Sequence, residues 1–99
     1  MAKQFDVFRA DSGSHVLVLQ SDLLADATTR VVARLVPEDW SDTPIDRLAP
    51  RIVLGDLSLR LNLLQVATLT LPQLETHIGS AANQRDDIIR ACDMLLTGY

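Results

Sequence analysis

Apolar positions along this chain recur first at strand spacing and only near the C-terminus at helix spacing. Residues Gln4 to Arg9 predict a first strand. Asp11-Ser12-Gly13-Ser14 is a turn cluster, and His15 to Gln20 predicts a second strand, the two forming a hairpin. In that second strand Val16, Leu17, Val18 and Leu19 are apolar in succession, so both of its faces are expected to be covered. Ser21 to Asp26 fits neither a strand nor a helix template. Arg30 to Val36 predicts a third strand, stopped by Pro37. The segment from Pro37 to Pro50 holds three of the four prolines and the only tryptophan, Trp40, and reads as a structured loop with room for a short helical turn.

Arg51 to Leu54 and Leu57 to Leu63 flank Gly55-Asp56. A two-residue hairpin is expected here, with glycine supplying the positive φ of the turn. Along the second arm Leu57, Leu59, Leu61 and Leu63 alternate with Ser58, Arg60 and Asn62, which places the leucines on one buried face. Val66 to Leu71 predicts a further short strand closed by Pro72. Beyond Pro72 the period changes. Asn83 is the expected helix cap, Asp86 lies in the first turn where the helix dipole favours a carboxylate, and Ile88, Ile89, Cys92, Leu95 and Leu96 mark one stripe. The helix is expected to end near Thr97. Strands first and one helix last predict an α+β fold in a single domain over 1–99, a small barrel-like antiparallel β-sheet with a C-terminal helix.

Composition narrows the function. Of the 99 residues 47% are hydrophobic and only 4% aromatic, so the core is aliphatic. The formal net charge is -4 and the arginines are scattered singly, which argues against direct nucleic-acid binding, since phosphate neutralisation needs a basic footprint. Cys92 is the only cysteine, so no intrachain disulfide forms. The N-terminal residues lack the apolar core of a signal peptide, and no apolar run approaches the roughly 20 residues that span a bilayer. A cytoplasmic protein without membrane association is expected.

Catalytic patterns are missing. His15 and His77 lack a second His, Cys or carboxylate at metal-ligand spacing, so they read as surface or capping residues and no metal or cofactor is expected. Cys92 lies on the apolar stripe and reads as packing. Ser12 and Ser14 beside His15 read as turn chemistry, because a nucleophile and its base converge from separate segments. Asp86 and Asp87 point about 100° apart on a helix and are no acid–base pair.

Four stretches in order resemble the CcdB family of toxins from type II toxin–antitoxin systems. They are Gln4-Phe5-x-Val7-Phe8, Gln20-Ser21-Asp22-Leu23-Leu24, Pro50-x-x-Val53-x-Gly55-Asp56, and Asp87-Ile88-x-x-Ala91 with a terminus ending in Gly98-Tyr99. Each is short. Their order, their spacing and the ungapped register from the last helix to the terminus make the match.

The resemblance implies the small barrel shared by CcdB and Kid/MazF toxins, a homodimer, and a CcdA-like antitoxin with a segment disordered when free. It implies action by binding rather than catalysis: the C-terminal residues of both subunits enter the cavity of the GyrA dimer and trap DNA gyrase on cleaved DNA. Carried over by position, the gyrase-binding residues would be Leu23, Leu24, Asp93, Leu96, Thr97, Gly98 and Tyr99. The family carries Trp where this chain has Thr97, and Tyr99 replaces an aliphatic end. A tryptophan hot spot is worth about 2–4 kcal/mol, so the exchange corresponds to roughly a 30- to 700-fold weaker complex. Two alternatives stay open: a toxin-like relative with weakened or lost gyrase poisoning, and an mRNA interferase of the Kid/MazF type. The second lacks support in the opening strand and in the acidic charge balance. Trp40 has no matching family position and reads as a core or dimer-contact residue.

Overall fold

The tight turns form where glycine permits them. Gly13 takes a φ of 90° between the first two strands, and Gly55 takes 57° in the two-residue turn that brings Leu54 opposite Leu57. The computed structural model describes residues 2–39 and 48–98. Its strands are β1 (Asp6–Arg9), β2 (His15–Val18), β3 (Thr29–Pro37), β4 (Arg51–Leu54), β5 (Leu57–Thr70) and β6 (Thr76–Ser80), followed by the helix α1 (Arg85–Thr97). All neighbouring strands pair antiparallel, in the order β4-β5-β3-β2-β1-β6. Trp40 lies outside the described residues.

Two apolar clusters sandwich the middle strands. The first gathers Phe5, Val7, Leu17, Leu35, Ile52, Leu61 and Leu63 against Ile88 and Ala91 of α1. The second gathers Ala2, Phe8, Val16, Val18, Val32 and Leu74. β2 therefore supplies both clusters, as its unbroken apolar run predicts. Fully burying an aliphatic side chain of this size contributes about 1.5–3 kcal/mol, which makes Ile88 the anchor of α1 on the sheet.

Three expectations change. Leu57–Leu63 and Val66–Leu71 are one strand up to Thr70, bent by a register shift: Ala33 pairs with Val66, whereas Arg34 pairs with Asn62. The buried Asn62 makes the bend possible. Its Oδ1 accepts from the Leu64 N–H at 3.0 Å, a backbone donor at the bulge, and its Nδ2 donates to the Gln65 side-chain Oε1 at 3.1 Å. β6 was not foreseen, and His77 lies within it. The first strand begins at Asp6 rather than Gln4, because Phe5 adopts a φ of 70°, uncommon for an aromatic residue. Both backbone groups of Phe5 are used, its N–H donating to Val18 O and its carbonyl accepting from Ala81.

A side chain closes the barrel. Gln84, just before α1, accepts from the Val53 N–H at 3.0 Å and donates to the Arg51 carbonyl at 2.6 Å, so its amide acts as a peptide group on the free edge of β4. At the same seam Leu54 of β4 lies against Gly79 of β6, its methyl groups 3.6 and 3.7 Å from where a Cβ would stand.

Candidate target-binding site

The Gln20-Ser21-Asp22 motif builds a turn. Gln20 accepts from the Val31 N–H at 3.0 Å and donates to the Leu24 and Thr29 carbonyls. Ser21 Oγ caps the following 3₁₀ turn by accepting from Leu23 N at 3.1 Å. Asp22 accepts from the Gln4 N–H at 2.8 Å, which ties the turn to the start of the chain. Behind it the buried Arg30, 2% exposed, donates to the carbonyls of Ala2, Ala25, Ala27 and Thr29. These polar bonds hold up Leu23, 94% exposed, and the exposed Leu24. The backbone beneath these two solvent-facing leucines is thus fixed by side-chain hydrogen bonds and not by burial of the leucines.

The second group lies at the end of α1. The helix starts at Arg85 after a 3₁₀ turn over Ala82–Gln84, so Asn83 does not cap it, while Asp86 and Asp87 occupy the first turn. Ile88 and Ala91 are buried, and Ile89 and Cys92 pack partly against the first cluster. The expected stripe then stops short. Leu95 and Leu96 are exposed, Leu96 to 78%, because the last turn extends past the sheet-facing cluster. Asp93, Leu96, Thr97 and Gly98 share this exposed end. Thr97 Oγ1 donates to the Asp93 carbonyl at 2.7 Å. Gly98 ends the helix at φ 83°, its N–H donating to Met94 O at 3.0 Å. A Cβ there would meet nothing of this chain within 4 Å, so within the chain it is the left-handed cap that calls for glycine.

Leu23 and Leu24 thus sit on one element and Asp93, Leu96, Thr97 and Gly98 on another. No hydrogen bond joins the two groups among the described residues. Tyr99 lies outside them.

The groups considered for chemistry are dispersed. His15 opens β2, half-buried. His77 on β6 approaches Asp6 at 3.4 Å and meets Phe8 edge-on at 5.2 Å between ring centroids. This carboxylate neighbour comes from β1 and is invisible in local spacing. Burial raises the Cys92 thiol above its ordinary pKa, with the adjacent Asp93 carboxylate adding to the rise, so the thiol is a poor nucleophile at neutral pH. No cluster of metal-ligating side chains occurs among the described residues. A groove of about 340 Å³ has an apolar floor with Val16 and Val32 and a polar rim with Asp11, Ser12, Ser14 and Arg34. Nothing local in the sequence marks it, since its walls come from separate segments. No helix among the described residues is long and apolar enough to cross a membrane.

The family model described as CcdB protein matches residues 4–98. No curated protein sequence matches. Among solved structures, an endoribonuclease from Mycobacterial species superposes with a TM-score of 0.80 at 18% identity, covering 95% of this chain and 89% of that one. An endoribonuclease in complex with its cognate antitoxin, also from Mycobacterial species, gives a TM-score of 0.80 at 18% identity over 97% of this chain and 95% of that one. At that identity the likeness establishes the barrel fold with its C-terminal helix.

Proposed function

Because the chain belongs to the CcdB family, we propose that it is the toxin of a toxin–antitoxin pair that binds the GyrA subunit of DNA gyrase and traps gyrase on cleaved DNA. The observation that carries this reading is the exposure of two leucine-bearing ends, Leu23–Leu24 and Leu96, on elements whose backbones are otherwise fixed. In this reading the protein acts as a homodimer in the cytoplasm, a CcdA-like antitoxin neutralises it, and Leu23, Leu24, Asp93, Leu96, Thr97, Gly98 and Tyr99 face the target. It acts by surface complementarity. The test is incubation of the purified protein with gyrase and supercoiled plasmid, then denaturation of the enzyme. Linear DNA that depends on the protein supports the reading, and unchanged plasmid at saturating protein refutes it.

Thr97→Trp is expected to tighten gyrase binding by about 30- to 700-fold, the weight of a tryptophan hot spot. The hydroxyl it removes bonds only within the helix. Titration calorimetry against the GyrA fragment checks this, and equal affinity of the two proteins would show that position 97 does not touch the target.

His15→Ala, His77→Ala and Cys92→Ala are each expected to leave poisoning intact within about threefold, the spread of a surface change of up to 0.5 kcal/mol. Loss of activity in any one, with folding retained, would point to chemistry instead. The groove gives that second reading a concrete form. Arg34 and Asp11 both line it, a cation and a carboxylate, and the structural neighbours are named endoribonucleases. Cleavage of single-stranded RNA by the wild type, abolished in Arg34→Ala, would favour it over gyrase trapping.

A further inference from the structure

The loop that bears Leu23 and Leu24 carries an inference that rests on the target-binding reading above. Between β2 and β3 no residue from Asp22 to Thr28 is buried, and Leu23 and Leu24 are 94% and 58% exposed. Apolar packing therefore does not set the direction in which the two leucines point. Among the described residues two side-chain hydrogen bonds tie the turn of Asp22–Leu24 to the rest of the fold. At its exit the Gln20 amide, itself fixed by the Val31 N–H, donates to the Leu24 carbonyl at 3.3 Å. At its entrance Asp22 Oδ1 accepts from the Gln4 N–H at 2.8 Å, across 18 positions of sequence. The second bond is the shorter and its acceptor is a carboxylate, which makes it the stronger of the two. Gln4 is a firm anchor, because its side-chain amide donates to the Leu19 carbonyl at 3.0 Å and the neighbouring Lys3 N–H donates to Asp6 at 3.0 Å.

We propose that Asp22 is a positioning residue for target binding, its carboxylate setting the two leucines in the arrangement the target accepts. A loop that points exposed side chains in many directions must be ordered when it binds, and that ordering subtracts from affinity. A loop already held avoids the loss. Asp22 acts through Leu23 and Leu24 and not by touching the target, so what counts is an oxygen acceptor at this place rather than a negative charge. The bond from Gln4 to Asp22 is exposed, and neither residue belongs to an apolar cluster. Removing it therefore separates affinity from stability. The buried Arg30 behind the same loop does not allow that separation, since its loss unsettles the fold as well.

Calorimetric titration against the GyrA fragment tests this with Asp22→Ala, Asp22→Asn, and a Leu23→Ala/Leu24→Ala protein with and without Asp22→Ala. Thermal melting confirms that each is folded. Asp22→Ala is expected to bind about 5- to 140-fold more weakly, the cost of ordering two side chains. Its midpoint is expected to fall by no more than about 8 °C, the weight of one hydrogen bond. Asp22→Asn keeps the acceptor without the charge and is expected to bind within about threefold of the wild type. In the protein lacking both leucines, Asp22→Ala is expected to change affinity by less than about twofold, because its effect passes through them. Asp22→Ala binding like the wild type, or costing as much without the leucines as with them, would overturn the assignment. So would Asp22→Asn binding as weakly as Asp22→Ala, since the charge itself would then meet the target. A protein lacking both leucines that binds like the wild type, or a wild type that does not bind the fragment, would instead remove the target-binding reading itself.

Discussion

Deletion of Thr97, Gly98 and Tyr99 is expected to abolish gyrase trapping while leaving the barrel folded. Thr97 and Gly98 are exposed and add nothing to either apolar cluster. The described bonds that go are those from Thr97 Oγ1 to Asp93 O and from the Gly98 N–H to Met94 O, both within the last helical turn. Fraying of one turn corresponds to the loss of a cap, about 1 kcal/mol, or a fall of about 4–8 °C in the melting midpoint. Target affinity should drop far more, by at least about 100-fold, because interface energy concentrates in a few central side chains. Thermal melting alongside plasmid linearisation separates the two effects. A truncated protein that still linearises plasmid would overturn the binding-tail mechanism.

The largest loss of stability is expected at Arg30. Its guanidinium is buried and donates to four carbonyls that join the N-terminus, the loop after the leucine turn and the start of β3. Arg30→Met keeps most of the volume and removes every donor. Each buried acceptor left without a partner costs about 1–3 kcal/mol, and since part of this loop reaches water the total is about 3–5 kcal/mol. At about 4–8 °C per kcal/mol the midpoint should fall by more than about 12 °C. Arg30→Lys should recover little, since a point charge with three donors cannot reproduce the planar fork. A midpoint unchanged in Arg30→Met would show that the loop holds itself.

The sequence was most legible where one rule acted alone. Gly55 announced its turn, the unbroken run Val16–Val18 announced a strand covered on both sides, and the change of period after Pro72 announced the helix. It was least legible where distant groups complete a local structure. β6 reads as polar because it is an edge strand with His77 exposed, and only pairing with β1 makes it a strand. The break expected near Leu64 is a bulge instead, since the Asn62 amide satisfies the displaced backbone. Arg30 resembled the other scattered arginines, because nothing local marks the four carbonyls waiting for it.

The leucine alternation predicts one buried face, and Leu61 and Leu63 are buried under the chain's own helix. The apolar surface left in β5 is Leu64 and Val66, beyond the bend. At the candidate site the exposed leucines of the 20–24 turn were named from family likeness alone. The hydrogen bonds of Gln20, Ser21 and Asp22 supply the physical reason for that motif. Gly98 was named from the same likeness, and its φ of 83° gives a physical reason for the glycine.

The seam at Gln84 bears on motion. Two hydrogen bonds from one side chain fasten the β4 edge, where a paired strand would supply a ladder, so separation there breaks few hydrogen bonds. Local openings of this kind lie well below the free energy of global unfolding. The Val53 amide, which donates to Gln84, should therefore exchange with deuterium through a small opening and lose protection in Gln84→Ala, whereas the Leu17 amide in the middle of the sheet should keep its own. Gln84 is also the residue from which α1 departs. Opening at Gln84 would loosen the joint between β4 and the start of α1, while Ile88 and Ala91 hold the middle of the helix on the sheet.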